Sequence, residues 1–148
     1  MKQILIINGP NMNMLGQREP DKYGYQTLDD INELIDEKAE ELGCECDFFQ
    51  SNYEGEIVTL LQNSEDYDGI VLNAAAYTHY SIAIRDAVAS IPAPVIEVHM
   101  TNIHSRESFR HESVLAPVCR GSIIGFGTAS YVLALHALIE IIENTAIR

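Results

Sequence analysis

The stretch that decides the fold is ILIINGP, at residues 4–10. Its four consecutive aliphatic side chains show no alternation of apolar and polar positions, so both faces of the strand that they predict must be buried. Asn8, Gly9 and Pro10 then end the strand in a turn. Strands buried on both faces are typical of parallel sheets that carry helices on each side, so this stretch predicts an α/β domain.

Further apolar segments alternate with amphipathic segments along the rest of the chain. Strands are predicted at residues 44–50, 70–72, 95–98 and 121–125. Helices are predicted to begin at the caps Thr27, Ser51-Asn52 and Ser81, and near Ala129. This alternation predicts a flavodoxin-like three-layer fold with a five-stranded parallel sheet in the order 2-1-3-4-5. The 148 residues, 47% of them apolar, fit one domain over residues 1–148 without a linker.

Local signals refine the ends and surroundings of these elements. Thr27 with Asp30 predicts a capping box at the start of the first helix, and Gly43 predicts its end. The last helix, residues 129–143, is apolar almost all round, so we expect the sheet to bury one side and another subunit to bury the other. Residues 101–111 have little apolar character and are predicted to form a loop or a single helical turn.

The charge and cysteine usage of the chain exclude several kinds of partner. Nine Lys and Arg against 22 Asp and Glu give a net charge of -13, which would repel nucleic acid and anionic membranes. No apolar run fits a signal peptide or a membrane-spanning helix, which predicts a cytoplasmic protein. Cys44, Cys46 and Cys119 lack the spacing of a disulfide framework or a zinc site and fit free thiols in a reducing cytosol.

The few cationic residues lie where a ligand could use them. Arg18, Arg85, Arg106 and Arg110 fall in or beside loops that follow predicted strands. In an acidic protein this placement favours a small anionic ligand as a partner. The alternative is that each arginine pairs with one of the many surface carboxylates.

A long loop separates the first strand from the first helix. Such connections in α/β domains usually take about 2 to 6 residues, whereas this one runs over residues 9–25. It carries Asn11, Arg18 and Tyr23, which can hydrogen bond or hold charge, and glycines and prolines that can act as hinges. We interpret it as an active-site lid; the alternative is a disordered surface loop. Folding back onto the protein is favoured by its apolar residues Met12, Met14 and Leu15.

Polar residues gather at the predicted carboxyl ends of three strands. The first, third and fourth strands end at Asn8, Asn73 and His99, and ligands of open parallel sheets bind beyond these ends. Glu97 and His99 lie two apart on one strand and so share a face, where a carboxylate can orient an imidazole or raise its pKa. The alternative is a pair of surface residues.

Several functions that are common for this architecture are disfavoured, because the chain lacks their sequence motifs. Residues 9–13 contain neither the G-x-G-x-x-G turn of dinucleotide sites nor the Walker pattern, and they offer no hydroxyl-rich turn for a flavin phosphate. The chain also lacks an early cysteine for a thiol phosphatase and the acidic strand end of a receiver domain. A zinc site built from Glu97, His99, His104 and His111 is disfavoured, because the spacing of these residues matches no common zinc-ligand motif.

Lysine usage restricts the mechanism. The chain has only Lys2, Lys22 and Lys38, and none is placed for desolvation in a core. A Schiff-base lysine therefore has no obvious candidate. Any carbonyl chemistry here would be non-covalent acid–base catalysis.

Four ordered stretches give the chain a specific resemblance. They are GPNMNMLGQREPDKYG at 9–24, NAAAYTH at 73–79, EVHMTNIHSRESFRH at 97–111 and GFG at 125–127. With them the chain closely resembles the type II 3-dehydroquinate dehydratases over essentially its whole length. The resemblance implies dehydration of 3-dehydroquinate to 3-dehydroshikimate, in the shikimate pathway of aromatic amino acid biosynthesis. It implies an anti elimination through an enolate, without a metal or an organic cofactor.

The resemblance also implies residues for the first half of the reaction. Tyr23 would be the base that removes the proton next to the ketone. Arg18, helped by Arg106, would supply positive charge that favours the phenolate of Tyr23. Asn11 would hold a water molecule or the enolate oxygen.

The acid, the binding residues and the assembly are implied in the same way. His99 would protonate the departing hydroxyl, with Glu97 holding its ring. Asp86 would reach a neighbouring subunit's site in a homo-oligomer, a dodecamer built as four trimers. The substrate's hydroxyls and carboxylate would be bound by Asn73, His79, Met100, Thr101 and Arg110.

The chain departs from the family pattern at a few positions. Met12 and Met14 stand where leucine is common, and Ala74-Ala75 replaces a frequent Pro-Gly pair. Met100 and Thr101 are conservative changes at the carboxylate site. We expect these departures to affect substrate affinity before activity.

Two other functions are compatible with the residues. One is a different lyase or isomerase that acts on a related hydroxylated cyclic acid, which substrate profiling would separate. The other is a catalytically silent flavodoxin-like module that binds a metabolite or builds a shell-like assembly. That module would be favoured only if Tyr23 and His99 proved to have no catalytic role.

Overall fold

The structure is a computed structural model that describes residues 1–17, 21 and 24–144. Within these residues the parallel sheet has five strands: β1 (Lys2–Asn8), β2 (Cys44–Gln50), β3 (Gly69–Asn73), β4 (Val95–His99) and β5 (Gly121–Ile124). Their order is β2-β1-β3-β4-β5, which confirms the predicted topology. The apolar run of the opening stretch lies inside the sheet, since β1 pairs with β2 on one side and β3 on the other.

Helices cover both faces of this sheet. The described residues form α1 (Leu28–Glu41), α2 (Glu54–Gln62), α3 (Ile82–Ser90) and α4 (Ala129–Glu143). Ile4 and Ile6 of β1 belong to the core under α1 and α4, while Leu5 and Ile7 belong to the core under α2 and α3. All four side chains are at most 1% exposed. The prediction that both faces of β1 are buried is therefore confirmed. This burial is the reason why the apolar run is unbroken.

Two of the three predicted helix caps are confirmed. Thr27 accepts the backbone N–H of Asp30 at 3.2 Å, and the Asp30 carboxylate accepts the N–H of Thr27 at 3.0 Å, which is a capping box. Ser81 accepts the N–H of Ile84 at 3.1 Å. Gly43 follows α1 directly after its C-cap, with a φ of +76°, as predicted for the end of that helix.

The predicted cap at Ser51-Asn52 is wrong. The N-cap residue of α2 is Tyr53, whose side chain makes no capping hydrogen bond. Ser51 stays tied to the sheet, because its N–H donates to the carbonyl of Asn8 at 3.0 Å, and its hydroxyl accepts the N–H of Tyr53 at 3.0 Å. Asn52 accepts the N–H of Asn11 at 3.1 Å. The backbone of Ser51 is therefore held at the end of β1, and the Asn52 side chain is held by the loop that follows β1.

The prediction for the last helix is confirmed on the side that faces the sheet. Tyr131, Ala134, Leu135 and Leu138 are 0% exposed and belong to one apolar core with the sheet. Leu133, by contrast, is 43% exposed. The expectation that another subunit covers this outer side stays a prediction.

Short 3-10 turns follow the carboxyl ends of β3 and β4. One of them covers Ala75–His79. Residues 101–111, predicted as a loop or a single turn, contain two such turns, Ile103–Ser105 and Ser108–Arg110. These turns carry several of the polar side chains that the sequence places near a ligand.

Cys44, Cys46 and Cys119 are all free thiols. Burial raises the pKa of Cys46 and of Cys119 to about 12, so both thiols keep their protons at neutral pH. In the part of the chain that the structure describes, no helix has the length and apolar character needed to cross a membrane.

Gly9 lies where the ends of β1 and β3 meet. Its N–H donates to the carbonyl of Asn73 at 2.8 Å. A Cβ atom at this position would lie 2.6 Å from the carbonyl oxygen of Ala74. Such a contact is too close for any side chain, so residues 9 and 74 can approach only while position 9 is glycine.

Gly9→Ala is therefore expected to destabilise the fold by about 1–3 kcal/mol, the usual cost of overpacking a filled site. Gly55 of α2 is the matched control, because nothing lies within 4 Å of a Cβ built there. Gly55→Ala should stabilise the protein by up to about 1 kcal/mol, since alanine is the better helix former. Urea unfolding followed by circular dichroism measures both changes. A neutral Gly9→Ala would contradict the close approach.

Candidate active site

A cavity of about 120 Å³ lies at the carboxyl ends of β1, β3 and β4. Open parallel sheets bind their ligands at this edge. Residues from three separate parts of the sequence meet there. The cavity is lined by eight of the predicted site residues: Asn11, Asn73, His79, His99, Met100, Thr101, Arg106 and Arg110.

Glu97 lies behind His99 and does not line the cavity. Its side chain is 0% exposed, and Oε2 lies 2.7 Å from Nε2 of His99, whose side chain is 6% exposed. Ser113 donates to Oε2 and Ser122 donates to Oε1, each at 2.6 Å. The alternative of a surface pair is therefore wrong.

These donors keep the Glu97 carboxylate ionised in spite of its burial. Burial by itself raises the pKa of Glu97, but the hydrogen bonds from His99, Ser113 and Ser122 outweigh it and hold the pKa below its ordinary value of 4.5. The carboxylate holds the His99 ring through Nε2. Nδ1 is then the ring nitrogen left to serve a ligand in the cavity.

His79 presents a neutral ring to the same cavity. Its Nδ1 lies 2.7 Å from the carbonyl oxygen of Glu112, so Nδ1 carries the proton and Nε2 is left as an acceptor. Burial lowers the pKa of His79, which favours this neutral form at pH 7. The ring stacks on His99 with centroids 6.4 Å apart. A ligand hydroxyl is the natural donor to Nε2.

A second set of hydrogen bonds fixes Asn73. Its Nδ2 donates to the hydroxyl of Tyr131 at 3.0 Å, and Tyr131 donates in turn to Oδ1 of Asn8. Its Oδ1 accepts the N–H of Ala75 at 3.1 Å. Tyr131 is not among the predicted site residues, although a phenol in an otherwise apolar helix is a signal that its hydroxyl has a buried partner.

The two serines that hold Glu97 were missed as well. Ser122 reaches the carboxylate because β5 pairs with β4 in a register that sets Glu97 opposite Ser122. Ser113 belongs to the segment between β4 and β5. Serines are common in loops and at strand ends, so neither residue carries a signal of its own in the sequence.

The first part of the long loop folds back onto the protein, as expected. Met12 and Leu15 are 7% and 5% exposed, whereas Met14 is 40% exposed. Asn11 has a left-handed backbone with a φ of +69°. The predicted base Tyr23 and its helper Arg18 lie outside the described residues.

Three of the four arginines singled out by sequence lie among the described residues, and their surroundings differ. Arg106 and Arg110 line the cavity, and the Arg110 side chain also donates to Glu107 at 3.1 Å. Arg85 instead pairs with Asp86 at 2.9 Å, and the two side chains are 41% and 64% exposed. Positive charge is therefore placed at the cavity by two of the arginines, while Arg85 follows the surface-pair alternative.

Asp86 lies on α3 and does not line the cavity of its own chain. Its side chain is 64% exposed. The implied contact with a neighbouring subunit's site stays a prediction.

Two of the three lysines can be placed. Lys2 pairs with Glu143 at 2.6 Å and Lys38 with Glu41 at 3.5 Å, and neither lines the cavity. Lys22 lies outside the described residues. Among those residues, no group of three or more His, Cys, Asp or Glu side chains is arranged to hold a metal ion.

The fold and the site together define a class of protein. It is an α/β protein with a flavodoxin-like sheet and a cavity at the carboxyl ends of the strands, where a buried carboxylate orients a histidine and arginines supply positive charge. The chain belongs to the class II dehydroquinase family, whose sequence model matches residues 2–139.

Individual relatives agree with this family. A 3-dehydroquinate dehydratase of Caldicellulosiruptor bescii is 53% identical over 145 residues, which cover 97% of this chain and 100% of the relative. One from Bacillus cereus is 57% identical over 141 residues, 95% of this chain and 97% of the relative. The crystal structure of type II dehydroquinase from Butyrivibrio crossotus is similar with a TM-score of 0.91 at 45% identity, covering 93% of this chain and 97% of that one.

The donors to Glu97 predict a pH-dependent effect of Ser122→Ala. Because the pKa of Glu97 is depressed in the fold, its contribution to stability is present above the unfolded pKa and is lost as pH falls through the folded pKa. Losing one donor to a charged group should cost about 1.5–3 kcal/mol at pH 7. The cost should shrink at about pH 3, below the ordinary glutamate pKa of 4.5.

Urea unfolding of both proteins at the two pH values measures this difference. Ser90→Ala is the control, since the Ser90 hydroxyl donates to the uncharged carbonyl of Ala87 at the end of α3. It should cost much less than Ser122→Ala at pH 7. An equal cost of Ser122→Ala at both pH values would mean that the serine does not act through the charge of Glu97.

Proposed function

We propose that this protein is a hydro-lyase that dehydrates 3-dehydroquinate to 3-dehydroshikimate in the shikimate pathway of aromatic amino acid biosynthesis. One observation carries the proposal. In this member of the class II dehydroquinase family, His99, Arg106 and Arg110 line the cavity, and the buried Glu97 pairs with His99. The relatives named 3-dehydroquinate dehydratase, which match nearly the whole chain, support the same activity.

In the proposed reaction Tyr23 removes the proton next to the ketone. An unperturbed tyrosine, with a pKa of about 10, is only about a thousandth ionised at pH 7, a deficit of about 4 kcal/mol. Arg18 and Arg106 offset this deficit, because positive charge nearby favours the phenolate. The electrons of the broken C–H bond pass to the ketone oxygen, and Asn11 stabilises the resulting enolate directly or through water.

His99 then completes the elimination. As the enolate collapses, the C–O bond to the hydroxyl breaks and the proton on Nδ1 of His99 goes to the departing oxygen, which leaves as water. This step requires a ring that carries both protons. The ionised Glu97, 2.7 Å from Nε2, compensates the positive charge of that ring and sets its orientation.

The remaining cavity residues bind the substrate in this proposal. Arg110, with the backbone of Met100 and the hydroxyl of Thr101, binds the carboxylate, and Asn73 and His79 bind hydroxyls. All five line the cavity, and the acceptor Nε2 of His79 suits a hydroxyl donor. Residues 9–25 act as a lid on a single catalytic domain. The acid–base residues need no metal and no organic cofactor.

We further propose that the chain assembles into a dodecamer of four trimers in which Asp86 completes a neighbour's site. Support comes from the exposed position of Asp86 away from its own cavity and from the apolar outer side of α4, where Leu133 is 43% exposed. The free thiols of the protein fit a cytoplasmic location.

The activity is tested by incubating the purified protein with 3-dehydroquinate and following the ultraviolet absorbance of the conjugated enone. Turnover should survive a metal chelator and borohydride, because the proposed steps use neither a metal nor a Schiff base. Turnover that is lost with borohydride alone would contradict the non-covalent mechanism. Absence of turnover in every condition would overturn the proposed function.

Tyr23→Phe should abolish turnover while leaving ligand binding largely intact, because the change removes only the phenolic oxygen that takes the proton. Calorimetric titration with the product measures binding, and the enone assay measures turnover. Tyr53→Phe is the control, since the Tyr53 side chain is 72% exposed and lies outside the cavity. Near-normal turnover of Tyr23→Phe would remove Tyr23 from the role of base.

The shared site predicts complementation between two inactive variants. Asp86→Ala and Tyr23→Phe should each be inactive, but their co-expression should restore activity in mixed oligomers. With random mixing, about a quarter of the sites combine an intact Tyr23 with a neighbour's Asp86. Asp66→Ala serves as the exposed-aspartate control and should stay active alone. Full activity of Asp86→Ala, or mixed oligomers without activity, would argue against the shared site.

A further inference from the structure

Tyr131 occupies a position that an apolar residue could fill more simply. Its side chain is 0% exposed in the core beneath α4, and a buried hydroxyl costs free energy unless it finds partners. Here the hydroxyl joins two asparagines, Asn8 at the end of β1 and Asn73 at the end of β3. The phenol therefore links two of the strand ends at which the cavity lies.

One backbone group decides the direction of these hydrogen bonds. The N–H of Ala75 can only donate, so the atom of Asn73 that lies 3.1 Å from it must be the amide oxygen. The amide nitrogen of Asn73 then faces Tyr131, at 3.0 Å. The Tyr131 hydroxyl accepts this bond and donates its single proton to Asn8.

One N–H of Asn73 is left for a ligand. The amide nitrogen carries two hydrogens, and its other neighbour among the described residues is Sδ of Met12 at 3.8 Å. A thioether is a weak acceptor. Because Asn73 and Met12 both line the cavity, an oxygen of a bound ligand can replace the sulfur as the acceptor.

Tyr131 itself stays protonated at neutral pH. Burial raises its pKa above the ordinary value. It therefore acts as a fixed, neutral hydroxyl, in contrast to the ionising role proposed for Tyr23.

We infer that Tyr131 is a positioning residue that, together with the N–H of Ala75, orients Asn73, so that an amide N–H rather than the amide oxygen meets the substrate. The site then selects a ligand that presents an oxygen lone pair at this point. The inference rests on the proposed function, in which that oxygen belongs to 3-dehydroquinate. Neither Tyr131 nor Asn8 touches the substrate in this arrangement.

Tyr131→Phe tests the inference because it removes the hydroxyl and keeps the ring. We expect kcat/KM for 3-dehydroquinate to fall about tenfold, mainly through KM, as for the loss of one oriented hydrogen bond. Tyr67→Phe is the matched control. It also removes a tyrosine hydrogen bond, the one to Asp47 at 2.6 Å, but Tyr67 lies outside the cavity, so kcat/KM should stay unchanged.

A double-variant cycle with Asn73→Ala separates positioning from a general structural effect. If Tyr131 acts through Asn73, adding Tyr131→Phe to Asn73→Ala lowers kcat/KM no further. If the two losses multiply, Tyr131 acts independently of Asn73 and the inference is overturned. An unchanged kcat/KM in Tyr131→Phe alone also overturns it.

Folding is checked by circular dichroism. If Tyr131→Phe does not fold, Asn8→Ala takes its place in the same cycle with the same criteria, because it removes the acceptor of the Tyr131 proton. Failure of the inference is distinguishable from failure of the proposed function. Wild-type turnover with multiplying losses overturns the inference alone, whereas a wild-type protein that does not turn over 3-dehydroquinate overturns both.

Discussion

The site depends on one buried charge, the carboxylate of Glu97, whose side chain is 0% exposed. A carboxylate taken out of water costs several kcal/mol unless hydrogen-bond donors replace the water. The donors here come from β4 itself, from β5 and from the segment between them. Because these segments meet only in the assembled sheet, the orientation of His99 and the integrity of the fold depend on the same hydrogen bonds.

A neutral network supports the cavity beside this charged one. Asn8, Tyr131 and Asn73 are joined by the Tyr131 hydroxyl, and no member needs a charge. The two networks have different consequences for the site. The first fixes a ring that can exchange a proton, and the second fixes an amide that can only donate or accept a hydrogen bond.

The charge of the cavity differs from the charge of the whole molecule. The chain carries a net charge of -13, yet Arg106 and Arg110 line the cavity. Arg110 is held by Glu107 at 3.1 Å, so an acidic residue helps to place a cation at the cavity. Local placement of a few guanidinium groups therefore matters more to an anionic ligand than the overall charge does.

Much of the architecture follows from the sequence, because its signals are local. The apolar run at residues 4–7 requires a strand buried on both faces, and Thr27 with Asp30 forms its capping box within four residues. The gathering of Asn73 and His99 at one sheet edge also follows, since the ends of parallel strands coincide. Only tertiary structure decided that Ser51 stays with the sheet, that Ser113 and Ser122 hold Glu97, and that Tyr131 meets Asn8 and Asn73. These contacts join residues 16 or more positions apart, and no local pattern encodes which distant donor meets which acceptor.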